Sequence, residues 1–151
     1  MLRRTLVITA VLALAPAFAP AGPATAADAA PPLVTLPAEG LDLSQFQWKN
    51  RLIVVFADTD ADPAFGEQLS LLAEDPGALS ERDVLVVTDS LPKPASPARA
   101  KLRPHGFSLI WIDKDGAVRF RKASPWTVRE LTQAIDKTPL RLQELADRQD
   151  R

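Results

Sequence analysis

Cysteine is absent from all 151 residues of this chain. The chain therefore forms no disulfide bond, carries no thiolate nucleophile and offers no cysteine for lipid attachment. It also contains a single histidine, so the ligands of the usual zinc sites are missing. Cysteine-dependent catalysis is excluded, and the stability of the fold must come from packing without covalent cross-links.

The chain begins with an apolar run that is too short to cross a membrane. The run covers residues 6–15 and follows two arginines, whereas a bilayer core needs about 20 apolar residues. Small residues at Ala24-Thr25-Ala26 form a cleavage site. We expect residues 1–26 to be a secretory signal peptide that is cut after Ala26, leaving a periplasmic or secreted chain without a transmembrane segment.

Neither sign of charge dominates the rest of the chain. The signal peptide contains two arginines and no acidic residue, so the mature chain keeps 16 basic and 19 acidic residues, a net charge of about −3. Such a balance gives no general attraction for the phosphates of nucleic acids or for anionic membranes. We therefore predict no nucleic-acid partner.

Composition divides the mature chain into three parts. Residues 27–40 are rich in alanine and proline, which predicts a flexible tether. Residues 41–146 carry the periodic apolar pattern of one modest domain, and residues 147–151 form a short C-terminal tail.

The first half of the domain has the pattern strand, helix, strand. Leu52–Phe56 is continuously apolar, as is Val84–Val87, which is typical of strands covered on both faces. Between them, Asp62 and Pro63 predict a helix start. The helix would bury the spaced residues Phe65, Leu69 and Leu72 and end at Asp75-Pro76-Gly77.

The second half of the domain adds a hairpin and a helix. Prolines mark a loop over residues 90–97, and residues 98–102 fit one helical turn. Lys114-Asp115-Gly116 predicts a tight turn between two strands. A final amphipathic helix is predicted from about Pro125 to Lys137, with Val128, Leu131 and Ile135 on its buried face.

Four segments carry a resemblance to a known family: FQWKNRLIVVFA, SERDVLVV, IWIDKDGAVRFR and IDKTPLRLQEL. They resemble a bacterial domain family of unknown function that is related to peroxiredoxins, and domains of coiled-coil domain-containing protein 80 and sushi-repeat-containing proteins. The resemblance implies an α/β thioredoxin-like fold of three layers. Its mixed four-stranded sheet would combine a βαβ unit with a β-hairpin and a C-terminal helix.

The resemblance also directs attention to the junction between the first strand and the first helix, where redox relatives carry their thiol. Here the junction contains Asp58, Asp60 and Asp62 instead. An EF-hand loop starting at Asp58 would require glycine at Pro63 and glutamate at Leu69, and both are missing. We interpret the loop as polar, with Asp62 capping the helix, and keep a metal or ligand site at the three carboxylates as the alternative.

Other polar and aromatic residues have structural readings that compete with functional ones. We expect His105 to lie in a surface loop, although it could act as an acid or base beside a carboxylate. Arg82, Arg119 and Arg121 could bind an anion, but we expect them to pair with surface carboxylates. The tryptophans at 48, 111 and 126 are expected in the core or at its rim.

The sequence thus predicts an exported thioredoxin-like protein that is not a thiol enzyme and uses no cofactor. The preferred hypothesis is a non-catalytic binding or accessory protein of the bacterial envelope, whose partner is a protein or small ligand there. The alternative is a carboxylate-based module that binds a metal or ligand at Asp58, Asp60 and Asp62.

Overall fold

A computed structural model describes residues 32–150 of the chain. The predicted signal peptide and residues 27–31 of the predicted tether lie outside this range. The elements in chain order are β1 (Thr35–Pro37), β2 (Arg51–Phe56), α1 (Pro63–Leu72), α2 (Pro76–Ser80), β3 (Val84–Asp89), α3 (Pro97–Leu102), β4 (Ser108–Ile112), β5 (Val118–Lys122), α4 (Val128–Asp136) and α5 (Pro139–Gln149). A 3-10 helical turn at Leu43–Phe46 precedes β2. None of the described helices has the length and apolar character needed to cross a bilayer.

The strands form one mixed sheet in the order β1-β3-β2-β4-β5. Strand β2 pairs in parallel with β3 and antiparallel with β4, and β5 completes the hairpin. The predicted βαβ unit, hairpin and C-terminal helix are confirmed, but the sheet has five strands rather than four. The additional strand, β1, pairs in parallel with β3 and lies in the segment predicted to be a flexible tether.

Both faces of the sheet are covered, which gives the three layers that the sequence predicted. Strand β2 is buried at all six residues, as its continuous apolar pattern indicated. Helices α1, α2 and α4 cover one face with Phe65, Leu72, Leu79, Val128, Leu131 and Ile135. The 3-10 turn and α3 cover the other face with Leu43, Ala98 and Leu102.

Side-chain caps set the starts of the helices. Asp62 accepts hydrogen bonds from the N–H groups of Ala64 (2.8 Å) and Phe65 (3.4 Å), which confirms its predicted place before α1. Helix α4 begins at Val128, three residues later than predicted, because Thr127 and Glu130 form a capping box. The Asp75-Pro76-Gly77 segment was predicted to end α1. Helix α1 ends just before it, at Leu72, and Asp75 caps the short helix α2.

The turn between β4 and β5 requires its glycine. Gly116 has a φ of +83°, a left-handed conformation that side chains with a Cβ adopt at a cost. A Cβ at this position would also lie 3.3 Å from the amide nitrogen of Gln47. The predicted Lys114-Asp115-Gly116 turn is therefore confirmed, and it packs against the residues that follow the 3-10 turn.

Helix α5 was not predicted from the sequence, and it continues to Gln149, beyond the predicted domain end at residue 146. Buried ions join this helix to the start of β2. The Arg51 guanidinium, fully buried, donates to the two carboxylate oxygens of Glu144 at 3.2 and 3.1 Å. Its Nε lies 2.9 Å from Oδ1 of Asp113, and the Lys114 ammonium lies 2.8 Å from Glu144.

These contacts determine the ionisation of Glu144. Burial alone raises the pKa of Glu144, but hydrogen bonds from Lys114 and Arg51 and the charges of both outweigh burial and lower the pKa to about 2. A carboxylate with a lowered pKa stabilises the fold above its ordinary pKa. That stabilisation is lost as the pH falls towards the lowered value.

We predict that Glu144→Gln lowers the free energy of unfolding by about 2 kcal/mol at pH 7. This value follows from the lowered pKa of Glu144, discounted because the side chain is partly exposed. The difference from wild type should shrink between about pH 5 and pH 2, where the wild-type carboxylate gains its proton. Denaturant melts across this range measure both effects. Asp147→Asn on the exposed side of α5 is the control and should shift stability by less than about 0.5 kcal/mol. A difference that stays constant down to pH 2 would contradict the assignment to Glu144.

Candidate functional site

The junction between β2 and α1 occupies residues 57–62. Ala57 is buried, and its N–H donates to the carbonyl of Asp89 at 2.9 Å, so the chain stays in the sheet to this point. Thr59, Asp60 and Ala61 are exposed. The Thr59 hydroxyl donates to the Asp60 carboxylate at 3.3 Å and accepts from the N–H of Ala61 at 3.3 Å. These contacts are internal to the loop and hold its turn.

The three candidate carboxylates of this loop have separate structural contacts. Asp62 caps α1, and Asp58, which is 62% exposed, lies 3.4 Å from Nη1 of Arg99. Asp60 bonds only within the loop through Thr59. Within residues 32–150, no three histidine, cysteine, aspartate or glutamate side chains are grouped so that they could hold a metal ion. The geometry therefore gives the metal alternative no support.

A buried ion pair lies beside this loop, at the carboxyl ends of β2 and β3. Arg99 is 9% exposed, and its Nε and Nη2 lie 3.2 and 3.0 Å from Oδ1 of Asp89. The same Nη2 donates to the carbonyl of Ala57 at 2.6 Å, and the guanidinium lies 5.3 Å from the ring centre of Phe56. Ser96 donates its hydroxyl to the other Asp89 oxygen at 2.5 Å.

The pair fixes α3 against the ends of the two parallel strands. Ser96 also caps α3 by accepting from the N–H of Arg99, so one hydroxyl links the helix start to Asp89. One oxygen of Asp89 accepts from Arg99 and from the N–H of Leu91, the other accepts from Ser96, and the carboxylate is buried as the partner of Arg99. The cluster is therefore a structural joint.

Sequence reasoning missed both members of this pair. Asp89 follows an apolar strand and Arg99 lies on a short helix ten residues later, and neither position carries a motif. The Ser96-Pro97 dipeptide was the available signal, because it has the composition of a helix start. It locates α3, but it does not indicate which carboxylate the arginine contacts.

Two of the three candidate arginines pair with carboxylates as expected. Arg82 donates to both oxygens of Asp136 at 2.8 and 2.7 Å, and these hydrogen bonds raise the pKa of Arg82 and lower the pKa of Asp136. Arg119 contacts Asp113 and Asp115 at 3.1 and 2.7 Å. Arg121 differs, since its guanidinium donates to the carbonyl of Leu102 at 2.6 Å and forms no ion pair with any residue from 32 to 150.

The remaining candidates lie in different environments. His105 is exposed in the loop between α3 and β4, as predicted, and no carboxylate in the described part of the chain forms an ion pair with it. Trp111 is buried and Trp126 is half-buried, which agrees with a place in the core or its rim. The prediction for Trp48 is wrong: this side chain is 67% exposed, on a residue with a φ of 62°.

Comparison with known proteins supports the fold. The structure aligns with reduced 2-Cys peroxiredoxin from Plasmodium vivax with a TM-score of 0.52 and 15% identity, over 64% of this chain and 81% of that one. It also aligns with a thioredoxin from Thermus thermophilus with a TM-score of 0.48 and 19% identity, over 70% and 86% of the two chains. The first alignment is evidence for the fold alone, and the fold is thioredoxin-like.

Sequence comparison finds a relative in coiled-coil domain-containing protein 80 of Danio rerio. The two are 30% identical over an alignment 137 residues long, which covers 71% of this chain. The aligned part is 16% of that protein, so this chain spans about a sixth of its relative's length. A family model described as a domain of unknown function matches residues 42–144. This match spans more than half of the chain and confirms the resemblance drawn from the four sequence segments, and the chain therefore belongs to the DUF4174 family.

Proposed function

We propose that this protein is an exported, non-catalytic binding or accessory protein of the bacterial envelope. The observation that carries the proposal is the composition and bonding of the junction between β2 and α1. It contains no cysteine, and Asp58 and Asp62 are engaged by an arginine and by a helix end. A fold that serves thiol chemistry elsewhere here retains the scaffold and lacks the nucleophile.

The neighbouring polar groups support a binding role over a catalytic one. Asp89 is buried as the partner of Arg99, and Arg99 is also held by the carbonyl of Ala57. A general base needs a free lone pair within reach of the proton that it removes. The two hydroxyls that contact carboxylates at this end of the sheet have structural uses, since Ser96 is buried and caps α3, and Thr59 holds the turn of the loop.

Export is the first part of the proposal to test. We expect the protein in the envelope fraction, with an N-terminus that begins at Ala27, because residues 1–26 have the charged, apolar and small-residue regions of a signal peptide. N-terminal sequencing of the purified protein measures this. Replacing Ala24 and Ala26 by phenylalanine is the matched control and should leave an uncut precursor. An uncut wild-type chain in the cytoplasm would contradict the proposal.

The binding role predicts that the mature chain takes a specific partner from its own compartment. We expect immobilised mature protein to recover the same protein or small molecule from envelope extract in repeated captures, as detected by mass spectrometry. Excess free mature protein should compete the partner away, because both forms offer the same surface. A mature chain that recovers no ligand under these conditions, but turns over a substrate of the extract, would overturn the assignment.

The structural reading of the acidic loop makes predictions that differ from those of the carboxylate alternative. We expect Asp62→Ala to lower the free energy of unfolding by about 1 kcal/mol through loss of the α1 cap. Asp60→Ala is the control from the same loop and should change it by less than about 0.5 kcal/mol. Calcium or magnesium should leave the denaturation midpoint of the wild type unchanged.

A metal site in this loop would produce a different melt. Metal at a hundredfold excess over its dissociation constant would add about 2.7 kcal/mol to the wild type. If Asp58→Ala abolished a stabilisation of that size, the acidic loop would be a metal site and the structural reading of Asp58 and Asp62 would be wrong.

A further inference from the structure

An open cleft lies between the loop that follows α3 and the end of β5. Its volume is about 270 Å³, and its polar lining residues are Arg103, His105, Ser108, Arg121 and Lys122. We call it the basic cleft. One proline and one alanine complete its wall, and no acidic residue lines it. Four other surface cavities in the described part of the chain each include at least one aspartate or glutamate.

The basic cleft lies at the same end of the sheet as the junction between β2 and α1. Ser108, at the start of β4, pairs with Phe56, the last residue of β2. Leu109 in turn pairs with Lys122, the last residue of β5. The cleft is thus next to the region where redox relatives carry their thiol, but it is formed by other elements and contains no acidic side chain.

The two arginines of the basic cleft are not neutralised by the protein. Within residues 32–150, no ion pair involves Arg103 or Arg121, whereas Arg99 and Arg119 each contact two carboxylates. Like charges held close together repel each other, and no carboxylate lines the cleft to offset the repulsion between Arg103 and Arg121. An anion in the cleft would remove it.

The scaffold holds these cations in place. Arg121 is fixed by its 2.6 Å hydrogen bond to the carbonyl of Leu102, at the end of α3. The adjacent Lys122 side chain is on the other face of β5, where its ammonium lies 4.5 Å from the ring centre of Trp126, so it is not counted among the cations of the cleft. Arg103 has a left-handed backbone, with φ 50° and ψ 58°, and its N–H donates to the carbonyl of Arg99, which ends α3. The helix end therefore fixes where the Arg103 side chain leaves the backbone.

We propose that the basic cleft binds a small ligand through an oxyanion group, a phosphate or a carboxylate. Arg121 uses one donor on Leu102 and keeps the others of its planar guanidinium, and Arg103 makes no side-chain hydrogen bond among the described residues. Guanidinium groups match the paired oxygens of both anions. The volume of about 270 Å³ lies just below the range of pockets for drug-sized ligands, about 300–1,000 Å³, and fits a small anion. This proposal rests on the proposed binding function and names the ligand class and its site.

The proposal is tested by titrating the mature protein with inorganic phosphate and with succinate at low ionic strength. Amide NMR shifts measure the binding. We expect saturable shifts confined to the loop before β4 and the end of β5, weakened by added salt. The stronger of the two probes identifies the anion. Arg103→Asn removes the charge, and asparagine tolerates the left-handed backbone. We expect it to weaken binding at least tenfold, with Arg103→Lys retaining part of the affinity.

Arg129→Gln is the matched control, because Arg129 is exposed on α4 and outside the cleft. It should bind both anions as the wild type does, and all variants should keep the wild-type melting midpoint. Equal weakening in Arg129→Gln, or no saturable shift with either anion, would overturn the proposal. Recovery of the envelope partner by Arg103→Asn at the wild-type level would reject the cleft and leave the general binding function intact.

Discussion

The structure depends on the buried ion pairs at the two ends of a completely buried strand. Strand β2 has both faces covered, and its first residue is an arginine with no exposed surface. Removing such a charge from water costs several kcal/mol unless its donors are paired. Arg51 meets Asp113, Glu144 and the carbonyl of Arg82, which belong to the hairpin, to α5 and to the turn before β3. One side chain therefore requires three separate segments to converge.

The other end of β2 is closed by a second buried arginine. Arg99 reaches the last carbonyl of the strand region at Ala57 and pairs with Asp89 at the end of the parallel neighbour. The two arginines thus serve in place of covalent cross-links in a chain that has no cysteine. Removing either partner of such a pair would leave an uncompensated buried charge. The pairs therefore determine which segments lie at each end of the strand.

The sequence predicted the parts of the fold that follow from local periodicity and turn chemistry. Continuous apolar runs located β2 and β3, and Asp62 with Pro63 located the start of α1. Strand β1 was missed because three residues containing a proline carry no periodic signal, and they become a strand only beside β3. Helix α5 was missed because the residues that it buries are charged, with Arg141 inside and Leu142 exposed. Its attachment is an ion cluster, which hydropathy does not detect.

The candidate site was likewise predictable only where its features follow from composition or local sequence. Composition alone excluded thiol chemistry, and the cap at Asp62 followed from its position before Pro63. The partners of Arg82, Arg119 and Arg121 could not be read from the sequence, because each contact depends on the tertiary arrangement of distant segments. The structure separates them into two arginines neutralised by carboxylates and one, Arg121, that ends at a carbonyl beside Arg103 and His105. Arg51 and Arg99 are paired with buried carboxylates, whereas Arg103 and Arg121 form no ion pair among the described residues, so an oxyanion ligand can complete their electrostatics.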